Sequence, residues 1–170
     1  LGNSKVAAWN NGNELIRQLH LNKKYPQVKG AAYFSAKGFV KNPQGLNDSL
    51  RASFYKYPAI VPINRNLKGE PSTPPQNVHL FKDGTETVLI WDEIHEEYGC
   101  RIAYYIVYAF KGKEVGDLNN AENILAVTAD NYLDFAMLKT KFKGYYTFVV
   151  TSVNRYKYES PTSYSVTKRF

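Results

Sequence analysis

A chain of 170 residues with 44% hydrophobic and 15% aromatic side chains has enough apolar mass to build a packed core, in one large domain or in one module plus something smaller. Its formal charge of +7 is unevenly spread: residues 1–70 hold 11 Lys+Arg against the acids Glu14, Asp48 and Glu70, whereas residues 71–170 hold 11 against 12. A lone Cys100 excludes an internal disulfide, no apolar run approaches the ~18 residues of a membrane span, and the Leu1-Gly2 start carries no signal-peptide pattern.

In chain order, Asn10-Asn11-Gly12-Asn13 offers several N-caps to a helix running from Glu14 to about Asn22, with Leu15, Ile16 and Leu19 at helical spacing. Tyr25-Pro26 breaks that helix. Val28 to Ala36 contains the apolar Gly30-Ala31-Ala32-Tyr33-Phe34 and predicts a strand covered on both faces. Asn42-Pro43-Gln44-Gly45 turns the chain into a second helix, whose Leu46, Leu50, Phe54 and Tyr57 repeat every three or four residues and stop before Pro58. A lone strand between two helices cannot bury itself and wants neighbours on both edges. It therefore reads as a slice of a larger α/β sheet or barrel, whose exposed edge predicts self-association.

Leu67 to Pro75 is rich in proline and turn residues and predicts a linker, with domains at 1–70 and 71–170. Beyond it come period-2 rows. Thr87, Leu89 and Trp91 share one face of a strand, as do Tyr105, Val107 and Ala109, and Tyr146, Phe148, Val150 and Ser152. Polar turns such as Lys82-Asp83-Gly84 separate them, as a two-sheet antiparallel sandwich requires. Trp91 is expected between the sheets. Tyr146 is expected to send its hydroxyl back to a backbone group. The opposite faces are apolar too, with Val88 and Ile90 on one strand and Tyr104, Ile106, Tyr108 and Phe110 on the next. Such a face predicts burial against a neighbour, most simply residues 1–70.

This second half resembles a fibronectin type III module. The residues that carry the likeness are Pro74-Pro75-Gln76-Asn77-Val78 opening a first strand, Thr87–Trp91, Tyr104–Tyr108, Tyr146–Asn154 and the closing Glu159-Ser160-Pro161-Thr162-Ser163. The first half is similar to the end of the catalytic barrel in the glycosyl hydrolase-like 10 family of bacterial glycoside hydrolase-like proteins. The matching blocks are Trp9 with Glu14–Gln18, Lys29–Lys37, Asn42–Leu50 and Tyr55–Pro62. The two resemblances together imply an α+β chain: a short helix-strand-helix remnant of a (β/α) barrel packed on a C-terminal fibronectin type III-like β-sandwich. Most of the barrel, which takes roughly 250 residues, would then lie outside this chain.

Glycoside hydrolysis uses two carboxyl groups about 5 to 9.5 Å apart. Glu14 and Asp48 each sit in a helix's first turn, where an acid favours the positive helix end, and Glu70 is in the linker. No catalytic residue is therefore expected in this chain, and the resemblance implies a fragment inactive alone. Contacts to a polysaccharide substrate are expected where a barrel strand ends, at Ser35 and Lys37, with Trp9 on a loop at the same end to stack on a sugar ring.

Other chemistries fail on spacing. His20, His79, His95 and Cys100 lack metal-ligand spacing, no phosphate-binding glycine loop or nucleophile elbow occurs, and no cofactor is expected. Cations and aromatics interleave at Lys37–Lys41 and Arg51–Lys56, but the aromatics fall on a helical core stripe and the cations are dispersed, so nucleic acid is not an expected partner. The family resemblance further implies a bacterial cell-envelope or secreted protein, often lipid-anchored. A non-catalytic module that binds carbohydrate or protein is the competing reading.

Overall fold

A computed structural model describes residues 10–33, 36–63, 66–84, 86–95, 101–138 and 141–170, except for the side chain of Asp83. The chain forms two compact units, Leu1–Tyr57 and Pro58–Phe170. Residues 58–70, read from sequence as the end of the first domain, thus belong with the second.

The first unit is helical where it is described. Helix α1 (Glu14–Asn22) follows Asn13, whose N–H is held at 2.9 Å by the Asn11 side chain. Helix α2 is a single turn (Lys37–Val40), and α3 spans Leu46–Ser53. Between them the backbone turns through three left-handed residues, Asn42, Gln44 and Gly45. Asn42 braces the start of α3. Its Nδ2 donates to Asp48 at 2.7 Å and its Oδ1 accepts the Asn47 N–H at 2.7 Å. Leu46 and Leu50 are the buried pair of α3, and both α1 and α2 pack on this helix.

Two expectations are corrected here. Helix α3 ends at Ser53, so Phe54 caps it and Tyr57 lies beyond it rather than continuing the stripe. The strand expected over Val28–Ala36 does not form at residues 28–33, which join no ladder and are mostly exposed; Phe34 and Ser35 lie outside the described residues, and Ala36 begins the turn of α2. A strand needs a partner for its N–H and C=O groups. Among the described residues of this unit there is no other strand to supply one.

The second unit is the antiparallel sandwich. Strands β1 (His79–Asp83), β2 (Glu86–Ile90) and β5 (Tyr132–Asp134) form one sheet in the order β1-β2-β5. The other sheet has the order β4-β3-β6-β7, from β4 (Ile124–Thr128), β3 (Ile102–Lys111), β6 (Tyr145–Asn154) and β7 (Val166–Arg169). The inner rows meet as expected: Leu89, Trp91, Tyr105, Val107, Phe148 and Val150 are buried together, with Trp91 edge-on to Tyr105 at 5.3 Å between ring centres. The first strand starts at His79 rather than in the Pro74–Val78 segment, since proline has no N–H for a ladder and Asn77 takes a left-handed φ of 53°.

Tyr146 also departs from expectation. Its ring stands edge-on to Phe142 at 4.9 Å in an aromatic group that includes Phe148 and Phe170, and among the described residues its hydroxyl shows no backbone partner.

The larger sheet is buried on both faces. Ile106, Tyr108, Phe110, Ile124, Val149 and Val153 make a second cluster on its outer side, and Ile60 lies against it. Glu159 to Ser163 runs beside β6: the Ser160 and Ser163 N–H groups donate to Ser152 and Val150 carbonyls, while their hydroxyls accept the N–H of those same residues at 3.0 Å. These hydroxyls keep the backbone satisfied around Pro161, which cannot donate.

Candidate functional site

Of the three residues expected to touch substrate, Trp9 and Ser35 lie outside the described residues. Lys37 is the first residue of α2, with an exposed side chain. Two acids of the first 70 residues have structural side-chain partners. Glu14 accepts from the Gln18 amide at 3.2 Å and lies 3.6 Å from Arg17 one turn on, and Asp48 holds Asn42. The Glu70 carbonyl accepts from the buried Asn154 amide at 2.7 Å, tying its segment to the sandwich. No described group of three His, Cys, Asp or Glu side chains comes together as a metal site.

In the first unit a hollow of about 200 Å³ opens between α1, the Val28–Ala31 segment and Phe54-Tyr55. Two cationic or polar groups crowd its aromatic wall: Lys23 Nζ lies 4.6 Å from the Phe54 ring centre, and the His20 ring lies 4.8 Å from it. Close by, the Tyr33 and Tyr55 hydroxyls are 3.3 Å apart. Burial, then the bond to Tyr55, pushes the Tyr33 phenol up to about 12, so it stays neutral and serves as a hydrogen-bonding group rather than a base.

The sandwich carries a hollow at each end. One, of about 480 Å³, is polar and lies beside Glu93, His95, Arg101, Asp130 and Asn131, with Tyr105 at its floor. Glu93 and His95 approach to 3.8 Å as a solvated pair. The Tyr105 hydroxyl accepts the Ile94 N–H at 3.4 Å, and burial raises its pKa. Among the described residues nothing there pairs a nucleophile with a base.

The other hollow, of about 440 Å³, is aromatic. Phe135 comes from the turn after β5, Phe142 from the loop before β6, and Phe170 from the end of β7, where its backbone exchanges two bonds with Gly144 at 2.9 and 3.2 Å. The three ring planes lie within 33° of one another, with centres 4.7 to 5.9 Å apart, and the fully buried Phe148 meets Phe142 and Phe170 nearly at right angles. Lys168 Nζ donates to Thr87 Oγ1 at 2.9 Å and stands 5.3 Å from the Phe170 ring centre. Sequence reasoning passed over these residues. The only signal was the alternation Val166, Lys168, Phe170, a strand face whose destination depends on how the two sheets pack.

No protein-family model matches the chain. Over 169 residues it is 31% identical to Glycosyl hydrolase YngK of Bacillus subtilis (strain 168), an alignment covering 99% of this chain and 32% of that protein. The chain thus spans about a third of the length of this curated relative. Among solved structures it is similar to a fibronectin type III domain of human fibronectin type III domain containing protein 3, with a TM-score of 0.44 and 18% identity over 62% of this chain and 90% of that one. It is also similar to an Fn3-like protein from Clostridium thermocellum, with a TM-score of 0.38 and 15% identity over 58% of this chain and 92% of that one.

Proposed function

We propose that this chain is the C-terminal, non-catalytic part of a glycoside hydrolase acting on a polysaccharide, with the β-sandwich as its accessory domain. The observation that carries the reading is the 31% identity running along 99% of the chain yet touching only 32% of Glycosyl hydrolase YngK. The geometry is compatible with it: Glu14 and Asp48 are engaged at helix starts, by Gln18 and by Asn42, as structural acids. In this reading the catalytic acids and most of the barrel lie on the rest of the protein, and residues 1–57 complete that domain. The family resemblance adds a placement in a bacterial cell envelope or outside the cell, which fractionation of the source cells checks.

Residues 1–170 and the full-length protein assayed side by side on a panel of chromogenic oligosaccharides test the proposal. Turnover is expected with the longer protein alone. Hydrolysis by residues 1–170 alone, or a native protein of 19.4 kDa in the source cells, refutes it.

A further inference from the structure

The aromatic end of the sandwich has the chemistry of a ligand site. Residues directly opposite in an antiparallel pair point to the same side of the sheet. Lys82 stands opposite Thr87 across β1 and β2, and Thr87 shares the inner face with the core residue Leu89. In the other sheet, Lys111, Tyr146 and Lys168 form one cross-strand row, and Tyr146 packs on the inner core. Three lysines of the two sheets therefore stand on inner-face rows at this end, and Lys168, bonded to Thr87 and beside Phe170, is the one next to the hollow. None of the three is in an ion pair with a described residue, and the carboxylate lining this hollow is the exposed Glu86. Burial and the neighbouring Lys82 hold the Lys168 ammonium below the ordinary lysine range, and an anion placed there would offset the repulsion from Lys82 and favour the charged form.

Beside this cationic edge lie Phe135, Phe142 and Phe170, stacked on one another rather than laid edge to edge, so the apolar surface offered to solvent is chiefly that of Phe170. Phe170 is 37% exposed although it belongs to an otherwise packed aromatic group. Flat apolar surface with a few polar groups at its rim is how small rigid ligands are held. An extended peptide is held chiefly by main-chain hydrogen bonds, which side-chain rings do not supply. We propose that this groove binds an acidic polysaccharide, with a uronic acid ring packed by its C–H groups against the exposed part of Phe170, its carboxylate on Lys168, and its hydroxyls within reach of Thr87 and Glu86. The site needs no catalytic domain, so it stands whether or not the chain belongs to a hydrolase.

Affinity electrophoresis of residues 1–170 through gels containing polygalacturonate, dextran or poly-glutamate tests the proposal. Retardation by polygalacturonate is expected, with little by dextran. Lys168→Gln and Phe170→Ala should each weaken it about tenfold, a loss of about 1.4 kcal/mol. Lys24→Gln, in the other unit, should change it little. Lys168→Gln keeps a donor for Thr87, and thermal melts of each variant separate lost binding from lost folding. If Phe170→Ala does not fold, Lys168→Gln decides alone. Three results overturn the proposal: no retardation by polygalacturonate; equal losses from Lys24→Gln and Lys168→Gln, which would mean bulk charge; or equal, equally Lys168-dependent retardation by poly-glutamate, which would mean an acidic peptide site.

Discussion

Replacing Tyr108 by Phe tests how the outer face of the larger sheet is held. Tyr108 is 1% exposed, and its hydroxyl donates to Glu159 Oε1 at 2.8 Å; the buried Thr151 hydroxyl donates to the same oxygen at 2.7 Å. A hydrogen bond to a charged group contributes about 1.5–3 kcal/mol. Because Thr151 still serves the carboxylate in the variant, the loss should fall in the lower half of that range, at about 2 kcal/mol. Glu159→Ala strands two buried hydroxyls and should cost more, about 3 kcal/mol, whereas Glu159→Gln keeps an acceptor and should cost less than either. Denaturant unfolding followed by Trp91 fluorescence, in a Trp9→Phe background, measures all three. The pH profile gives an independent check. Burial first, and the bond and charge of Glu159 next, raise the Tyr108 phenol above its ordinary pKa of about 10. A raised pKa means that the neutral phenol's stabilisation is complete below pH ~10 and drains away as pH climbs toward the folded value. The wild-type advantage over Tyr108→Phe should therefore be flat at neutral pH and shrink above pH ~10. A neutral-pH difference under about 0.5 kcal/mol, or one that grows with alkali, refutes the reasoning.

Two further substitutions probe each unit separately. Asn154 is fully buried: its Oδ1 accepts the N–H groups of Tyr156 and Tyr158, and its Nδ2 reaches the Glu70 carbonyl. Asn154→Ala should cost about 3 kcal/mol in chemical denaturation and hasten proteolysis near residue 70, and a loss below 1 kcal/mol counts against the tether. Leu50→Ala empties the buried position of α3 and should cost the first unit about 2–5 kcal/mol, seen as lost helical circular dichroism at a temperature where the sandwich signal persists.

The sandwich was legible because period-2 rows carry their own geometry: once Thr87, Leu89 and Trp91 share a face, the core they point into follows. Strands β4 and β5 were not: Ile124–Val127 is a continuous apolar run without alternation, and the three residues of β5 are too few to show any. The strand expected over Val28–Ala36 misled at residues 28–33 for a physical reason. Apolar β-prone composition is a property of the segment, whereas a strand is a property of a pair, and no described partner lies beside it. Tyr146 was found at its position, but its ring partners Phe142 and Phe170 were not, because they come from a loop and from the end of another strand. The candidate groove was invisible for the same reason: it is assembled from β1, β2, β7 and two connections distant in sequence.

The position of the unit boundary follows from the two-faced sheet. A sandwich whose outer face is polar can begin at its first strand, and the Pro-rich segment before it is then only a tether. Here β3 and β6 are apolar on both sides, so the outer side also needs cover. Ile60 supplies part of that cover. The stretch from Leu67 onward is bonded into place: the Leu67 carbonyl accepts from Tyr158, the Glu70 carbonyl from Asn154, and Ser72 and Thr73 both engage Ser152. Gly69 fits because it lacks a side chain; a Cβ there would lie 3.1 Å from the rings of Tyr156 and Tyr158. Proline content marks where the chain cannot join a ladder, but it says nothing about whether side-chain amides and hydroxyls will hold the chain anyway. The segment read as a linker is thus bonded into the sandwich, and the second unit begins at Pro58.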